Sequence, residues 1–438
     1  MLTWLGFGMV IAFMYLIMSR RLLPVVALIA VPIAFALLGG FGGPELGVMM
    51  LDGLRTLAPT GVMLMFAILY FGLMIDAGLF DPVVRLVLRA VKGDPLRVVV
   101  GTALLALFVS LDGDGSTTYM ITVAAMLPLY RRLRIDALGL TSVAMLASGV
   151  MNLTPWGGPL ARAAAALHVD PAEVFVPMLP VMATGVLCVV AFAWLIGRRE
   201  RTRLGVLVWE PHALPGAAEH DDTAAEILRV RRPRLLWINA LLTLALMVGL
   251  IAAALPLPVL FMIGFSIALM VNYPNLAEQR ARIAAHAPNA LAVVSVIFAA
   301  GIFTGILTGT GMVEAMSGSF LSVVPPSLGP YLATITALAS LPFTFFISND
   351  AFYFGVLPIV AEAAQVYGIT PLEMARASLI GQPVHLLSPL VPSTYLLVGL
   401  AGVDFGDHQR FTLKWAILLC LVMLVAALLF GMFPLARS

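Results

Sequence analysis

The segment Leu111–Thr118 (LDGDGSTT) places two carboxylates in a chain that is otherwise suited to hydrocarbon. Asp112 and Asp114 lie between two apolar runs, and a second polar segment, Ser348-Asn349-Asp350, interrupts an apolar stretch of the C-terminal half. An ionisable group at membrane depth is energetically costly, so its presence there indicates a function. Asp112, Asp114 and Asp350 are therefore predicted to take part in metal or proton coupling. Helix capping is the alternative role for Asp114 and Asp350.

Polar residues gather at four places, namely these two acidic segments and two Gly/Pro-interrupted runs at Asn152–Pro159 and His385–Thr394. A helix that stops inside the membrane offers free backbone N–H groups and a positive dipole end, which bind oxyanions. Hydroxyl and amide oxygens can also bind a cation. The candidate substrate-binding residues are Ser116, Thr117, Thr118, Asn152, Thr154, Gly157, Gly158, Ser348, Asn349, Ser388, Ser393 and Thr394.

The balance of charge predicts what can bind at these places. Asp112, Asp114 and Asp350 are acidic, and the sequence places no basic residue at either tip. A bare polyanion would be repelled, whereas a carboxylate already bound to Mg²⁺ or Ca²⁺ would be repelled less. Protonation of the aspartates would reduce the repulsion in the same way. Both routes are consistent with movement of a metal–carboxylate complex together with protons.

Two further ionisable residues lie in the interrupted runs. His385 is a candidate metal ligand or proton relay, and a hydrogen-bonded interior histidine is the alternative. Arg162 follows Pro159 closely and is a candidate contact for a substrate carboxylate. An arginine side chain that extends to the outer interface is the alternative for Arg162.

Composition places the chain in the membrane. Of its 438 residues, 61% are hydrophobic and 11% are charged, whereas soluble domains carry about 25% charged residues. The fold class predicted is therefore an all-α polytopic membrane protein. Cys188 and Cys420 are too few for a disulfide framework or a thiolate metal site. The sequence contains no phosphate-binding P-loop and no basic groove with aromatic residues, so we expect neither an ATP-driven pump nor nucleic acid binding.

Apolar runs predict about ten transmembrane helices. The arms that flank Leu111–Thr118 are each shorter than the about 20 apolar residues of a span, so we predict a re-entrant helical hairpin over about 96–130. A surface loop between two short spans is the alternative. A second hairpin is predicted over about 328–366. Prolines and glycines near 152–159 and 388–393 predict two discontinuous helices. The spans are predicted at about 2–18, 22–40, 59–80, from 137, 174–196, 235–254, 256–271, 289–308, from 372 and 411–433.

The order of these features repeats. Three spans, an amphipathic piece, a hairpin, a broken span and a last span occur in residues 1–197 and again in residues 234–438. Interrupted segments at corresponding places in two halves are typical of a transporter site. We therefore predict two inverted repeats, joined by a polar cytoplasmic linker at 198–233.

The basic residues predict the sidedness. If the N-terminus is outside and the hairpins do not cross, all but four of the 25 lysines and arginines lie inside, the exceptions being Arg55, Arg162, Arg376 and Arg437. The positive-inside rule then predicts a multi-pass protein of the cytoplasmic (inner) membrane with both termini outside and the linker inside. The first hairpin would open to the cytoplasm and the second to the outside.

The chain resembles the citrate–metal:proton symporter family (CitMHS) of the ion-transporter superfamily. The resemblance rests on Leu111–Thr118, on Asn152–Pro159 (NLTPWGGP) and on Ser348-Asn349-Asp350-Ala351, and it covers nearly the whole chain. Divalent-anion:sodium symporters are similar, but their hairpin tips carry Ser-Asn-Thr. The tips here read Asp114-Gly115-Ser116 and Ser348-Asn349-Asp350, a difference that favours metal or proton coupling.

The resemblance implies a secondary transporter that takes up citrate complexed with a divalent ion such as Mg²⁺ or Ca²⁺, driven by protons. It implies a homodimer in the lipid bilayer, with an elevator-like transport domain formed by both hairpins and both broken spans. A sodium-coupled di- or tricarboxylate symporter without metal is the alternative. An intramembrane enzyme with an Asp114/Asp350 pair is a third hypothesis, and an ion channel, for which no filter motif is present, is a fourth. We expect no enzymatic activity and no permanently bound cofactor.

Overall fold

The computed structural model describes residues 2–91, 93–205 and 229–437, and every regular element within these residues is helical. Seven helical stretches in this part of the chain are long and apolar enough to cross a membrane. These findings confirm the predicted all-α membrane class. Two of the seven, Pro95–Asp112 and Pro326–Phe346, are the first arms of the predicted hairpins. The count of ten spans and the re-entry of the hairpins stay predictions.

The helices of the N-terminal half follow the predicted order. A hairpin, a broken helix and a long last helix come after three helices and a short amphipathic one. Their bounds are α1 Leu2–Met18, α2 Pro24–Leu38, α3 Gly43–Ala77, α4 Asp81–Val91, α5 Pro95–Val109, α6 Gly115–Arg132, α7 Ala137–Met151, α8 Gly158–Leu167 and α9 Pro171–Leu204.

The same order of elements occurs in the C-terminal half. Here a π-helical segment, Ala351–Val356, precedes the second arm of the hairpin. The helix bounds are α10 Leu236–Ile251, α11 Leu257–Asn272, α12 Leu276–Gly309, α13 Met312–Val323, α14 Leu332–Phe346, α15 Leu357–Gln365, α16 Pro371–Ser378, α17 Gln382–His385, α18 Pro392–Ala401 and α19 Phe405–Leu429. This order agrees with the predicted repeats, whose inverted relation stays a prediction.

Two helices are longer than the sequence predicts. The predicted spans begin at 59 and 289, whereas α3 begins at Gly43 and α12 at Leu276. Charged residues early in these helices have partners: Arg55 and Asp52 form an exposed ion pair, and Arg282 forms a largely buried one with Asp76. Pro59 and Pro288 lie inside these helices, whereas the sequence predicts that Pro59 begins a span and that a span follows Pro288.

The predicted linker at 198–233 begins too early. Helix α9 continues to Leu204, and its last turns are held by ion pairs of Arg201 with Asp94 and of Arg203 with Glu200. Most of the remaining linker, residues 206–228, lies outside the described residues. Where the chain is described again, Arg231 pairs with Asp81 at 3.2 Å and Arg232 with Glu278 at 3.1 Å.

Helices α3 and α12 pack closely along each other and link the two halves. Their backbones meet at Gly53, Gly301 and Gly305. A Cβ atom at Gly53 would overlap the carbonyl oxygen of Gly301 and come within 2.8 Å of the Gly305 Cα. Small residues allow this close approach, which gives transmembrane helices their van der Waals contact.

Replacing Gly53 by Ala should therefore force α3 and α12 apart and destabilise the protein by about 1–3 kcal/mol, the usual cost of overpacking. Gly47 on the same helix is the matched control, since a Cβ there would meet nothing within 4 Å. Thermal unfolding of both variants in detergent measures the difference. Equal unfolding midpoints for Gly53→Ala and Gly47→Ala would contradict the packing described.

Candidate functional site

The first acidic segment forms the turn of a helical hairpin between α5 and α6. After α5 ends at Val109, a 3₁₀ turn over Ser110–Asp112 leads into Gly113, whose φ of +78° favours glycine. A side chain there would also come within 2.8 Å of the Trp156 ring. The hairpin arms end close to the predicted bounds of 96–130.

The carboxylates of the first tip are both engaged by the backbone. Asp112 accepts a hydrogen bond from the N–H of Asp114 at 2.9 Å. Asp114 caps α6, accepting from the N–H groups of Ser116 and Thr117 and from the Thr117 hydroxyl at 2.7 Å. Asp114 therefore has the capping role that the sequence left as an alternative. Thr118, buried one turn later, shares a hydrogen bond with the Ser110 hydroxyl.

The first broken helix contacts this tip through Trp156. The indole Nε1 donates to the carbonyl oxygen of Leu111 at 2.9 Å, and the ring packs 5.2 Å from those of Phe71 and Phe261. Trp156 lies inside the NLTPWGGP segment, yet the sequence analysis assigned it no role. A lone tryptophan between prolines and glycines was the signal that could have identified it.

The break itself, between Met151 and Gly158, is built without free space around its backbone. A Cβ at Gly157 would overlap the carbonyl oxygen of Asn152, so only glycine fits where α8 begins. The hydroxyl of Thr154 is buried and has no hydrogen-bond partner. Such an unpaired buried group is unusual and is available to a ligand.

The second tip is held by side-chain hydrogen bonds. Ser348 accepts from the N–H of Ala351, and the amide of Asn349 exchanges long hydrogen bonds of 3.4 Å with Gln382. Gln382 also donates to the Tyr353 hydroxyl at 2.8 Å. Tyr353 belongs to the π-helical segment, and π-helical turns occur frequently at functional sites. Gln382 and Tyr353 were not predicted as site residues.

The second break supports the end of α14. His385 Nδ1 lies 2.6 Å from the Thr344 carbonyl, and the Ser388 hydroxyl donates to the Phe345 carbonyl at 2.6 Å. Since a carbonyl only accepts, Nδ1 carries the proton. The Thr394 hydroxyl donates in turn to the Leu386 carbonyl. These residues satisfy carbonyl groups that a helix end leaves without partners. His385 thus has its alternative role, the hydrogen-bonded interior histidine.

Arg162 corrects the charge balance expected from the sequence. Its Nε lies 2.6 Å from Asp350 Oδ1, and both side chains are largely buried, with exposed fractions of 20% and 13%. Arg162 also donates to the carbonyl of Gly158. A basic group therefore lies at the second tip, brought there by α8 from 188 residues away. In this conformation Arg162 does not extend to the interface.

Contacts within and between the two halves connect all four places. Trp156 links the first tip to the first break, and Arg162 links the first broken helix to the second tip. His385 and Ser388 join the second tip to the second break. The first tip approaches the second break at Gly115, where a Cβ would lie 3.5 Å from the hydroxyl oxygens of Ser393 and Ser148. The predicted site residues thus belong to one connected cluster.

The cluster does not form a protein-made metal cage. Among the described residues there is no group of three or more His, Cys, Asp or Glu side chains that could hold a metal ion.

Comparisons with known proteins agree on a transporter. The family model described as "Citrate transporter" (CitMHS) matches residues 13–381. A citrate transporter of Bacillus subtilis (strain 168) is 62% identical over 431 residues, covering 98% of this chain and 99% of that protein. A Mg(2+)/citrate complex secondary transporter of the same organism is 56% identical over 434 residues, with the same coverage of 98% and 99%.

Two solved structures share the fold at low identity. The Neisseria gonorrhoeae protein MtrF, from a class of antimetabolite efflux pumps, has a TM-score of 0.58 at 15% identity, over 87% of this chain and 83% of that chain. The Alcanivorax borkumensis transporter YdaH has a TM-score of 0.50 at 16% identity, over 88% of each chain. At this identity the likeness concerns the fold alone.

A comparison of Asp114 with Asp170 distinguishes a role of Asp114 in solute uptake from its role as a helix cap. Both are exposed and cap a helix, α6 and α9 respectively, but Asp170 takes no part in the contacts that connect the cluster. Asp114→Asn and Asp170→Asn should each cost about 0.5–2 kcal/mol of stability. Only Asp114→Asn should reduce solute uptake, by tenfold or more (about 1.4 kcal/mol or more). Equal uptake by the two variants in proteoliposomes would leave Asp114 with the capping role alone.

Proposed function

This chain belongs to the CitMHS family of citrate transporters, and we propose that it takes up citrate bound to a divalent cation such as Mg²⁺ in symport with protons. The predicted family is thereby confirmed, and the enzyme and channel hypotheses are set aside. The 56% identity to a protein named for the Mg(2+)/citrate complex supports the metal-bound form of the cargo.

The observation that carries the proposal is the Arg162–Asp350 ion pair. A largely buried guanidinium is a strong partner for a carboxylate, because it offers two parallel N–H donors. In the structure that partner is Asp350, at 2.6 Å. A citrate carboxylate competes with Asp350 for the same group, so binding of cargo replaces one carboxylate of Arg162 by another.

Replacement of Asp350 by a citrate carboxylate at Arg162 couples citrate binding to the binding of a positive charge. Once displaced, Asp350 is a largely buried carboxylate without its cation, a state that costs several kcal/mol unless the charge is compensated. A proton or the positive ion that citrate carries compensates it. Asp112 and Asp114 add negative charge at the first tip, where a bare polyanion would be disfavoured. Thr154 contributes the free hydroxyl of the first break.

Movement of the cargo would follow from the arrangement of helices. We assign the two hairpins and the two broken helices to an elevator-like transport domain. The closely packed α3 and α12 belong to the scaffold, on which a second copy of the chain would also pack. The two inverted repeats then provide the two openings, the first hairpin to the cytoplasm and the second to the outside.

Uptake of labelled citrate into proteoliposomes tests the function. Uptake should require Mg²⁺ or a related divalent ion, should stop when EDTA is in excess, and should increase with an inward proton gradient. Replacing Na⁺ by K⁺ at constant pH should leave the rate unchanged. Uptake that persists in EDTA would overturn the metal requirement, and uptake abolished by removal of Na⁺ would favour the sodium-coupled carrier.

The ion pair is tested by removing its charges singly and together. Arg162→Gln and Asp350→Asn should each lower the free energy of unfolding by about 3–5 kcal/mol, since each leaves a buried charge unpaired. Each should also abolish citrate uptake. The double variant Arg162→Gln/Asp350→Asn should recover stability but not uptake, because both binding groups are missing.

Asp76→Asn is the matched control for this series. Asp76 pairs with Arg282 at 3.2 Å and is buried to a similar extent, but it lies at the end of α3 outside the cluster. The Asp76→Asn variant should be less stable, but its folded fraction should still take up citrate. If the double variant regained uptake together with stability, the Arg162–Asp350 pair would be structural only.

A further inference from the structure

The end of α9 carries four arginines that differ in their partners. Arg201 lies 3.7 Å from Asp94, and Arg203 forms an ion pair with Glu200. Within the described part of the chain, Arg198 and Arg199 have no carboxylate within ion-pair distance. Both side chains are exposed. Among the described residues, these two positive charges thus have no carboxylate partner where the apolar part of α9 ends.

Tryptophans, rather than carboxylates, position these two guanidinium groups. Arg198 lies 5.3 Å from the ring centre of Trp194, and Arg199 lies 6.0 Å from that of Trp415 on the neighbouring helix α19. Lys414 approaches the same Trp415 ring at 5.7 Å. Cation–π contacts of this kind hold a charge in place without neutralising it.

An unused hydrogen-bond donor lies in the same group. Trp415 is only 8% exposed, and its indole N–H is buried without a hydrogen-bond partner. Most buried donors have a partner, so this N–H is unusual among the described residues. Arg199 and Lys414 thus bring two positive charges to the Trp415 ring.

Arg198 and Arg199 also line a hollow at the end of α9. It has a volume of about 450 Å³ and is lined by Leu195, Arg198, Arg199, Thr202 and Arg203. Trp194 and Leu195 are exposed by 43% and 39%, one turn further into the apolar part of α9. A ligand that fits must carry a negative charge next to an apolar body.

We propose that this hollow binds the head group of an anionic phospholipid, with its phosphodiester between Arg198 and Arg199 and its acyl chains along Trp194 and Leu195. Charge complementarity favours this occupant. Basic residues at the cytoplasmic end of membrane helices attract anionic lipids, and the positive-inside count places this end of α9 on the cytoplasmic side. The site is separate from the citrate cluster and does not depend on the proposed function.

Lipid binding is measured on the purified full chain in lipid-free detergent. Phosphatidylglycerol should raise the thermal unfolding midpoint and remain bound in native mass spectrometry, and phosphatidylcholine with the same acyl chains should do neither. Arg198→Gln/Arg199→Gln should weaken phosphatidylglycerol binding by about 25-fold, which is about fivefold for each charge removed.

Arg20→Gln/Arg21→Gln is the matched control, since it also removes two adjacent arginines, one of them 5.4 Å from the Tyr15 ring. This variant should bind phosphatidylglycerol as the unaltered protein does. Equal effects of the two lipids on the unaltered protein would overturn the proposal, as would an equal loss in both double variants. An equal midpoint shift with glycerol phosphate alone would overturn the assignment to a lipid. The comparison of lipids on the unaltered protein remains decisive if a variant does not fold.

Discussion

The structure depends on one constraint: where the backbone leaves a helix inside the membrane, its polar groups must find partners within the protein. The two hairpin tips and the two breaks are predicted to place helix ends of this kind within the apolar part of the chain. Asp114 satisfies the start of α6, and His385 and Ser388 satisfy the end of α14. The polar groups at each tip or break have partners in the same segment or in another of the four segments. The four places therefore form a single cluster.

The same constraint explains why a charged pair lies there. Arg162 and Asp350 come from opposite halves, and neither is stable alone in a largely buried position. Such an ion pair is well suited to an exchange of carboxylates, since a carboxylate of the cargo can replace Asp350 without leaving Arg162 unpaired.

The sequence was sufficient for the order of the elements, the two hairpins, the breaks and most residues of the cluster. These are local features, because costly aspartates and Gly/Pro runs stand out against an apolar background. The starts of α3 and α12 were predicted wrongly. Each helix begins with an amphipathic part before its apolar run, and charged residues with Pro59 or Pro288 make that part of the sequence resemble a loop. The partnership of Arg162 with Asp350 and the contact of Trp156 with Leu111 depend on tertiary packing, which no local pattern encodes.

The central claim is that the first tip and the second break, which come from different halves, face one cargo site. Gly115→Cys and Ser393→Cys place two thiols at the point where these elements meet, in a chain whose own Cys188 and Cys420 are replaced by Ser. Oxidation should cross-link the two positions, and magnesium citrate should slow the reaction, whereas citrate with excess EDTA should not. Failure to cross-link, or a rate indifferent to magnesium citrate at saturation, would contradict the claim.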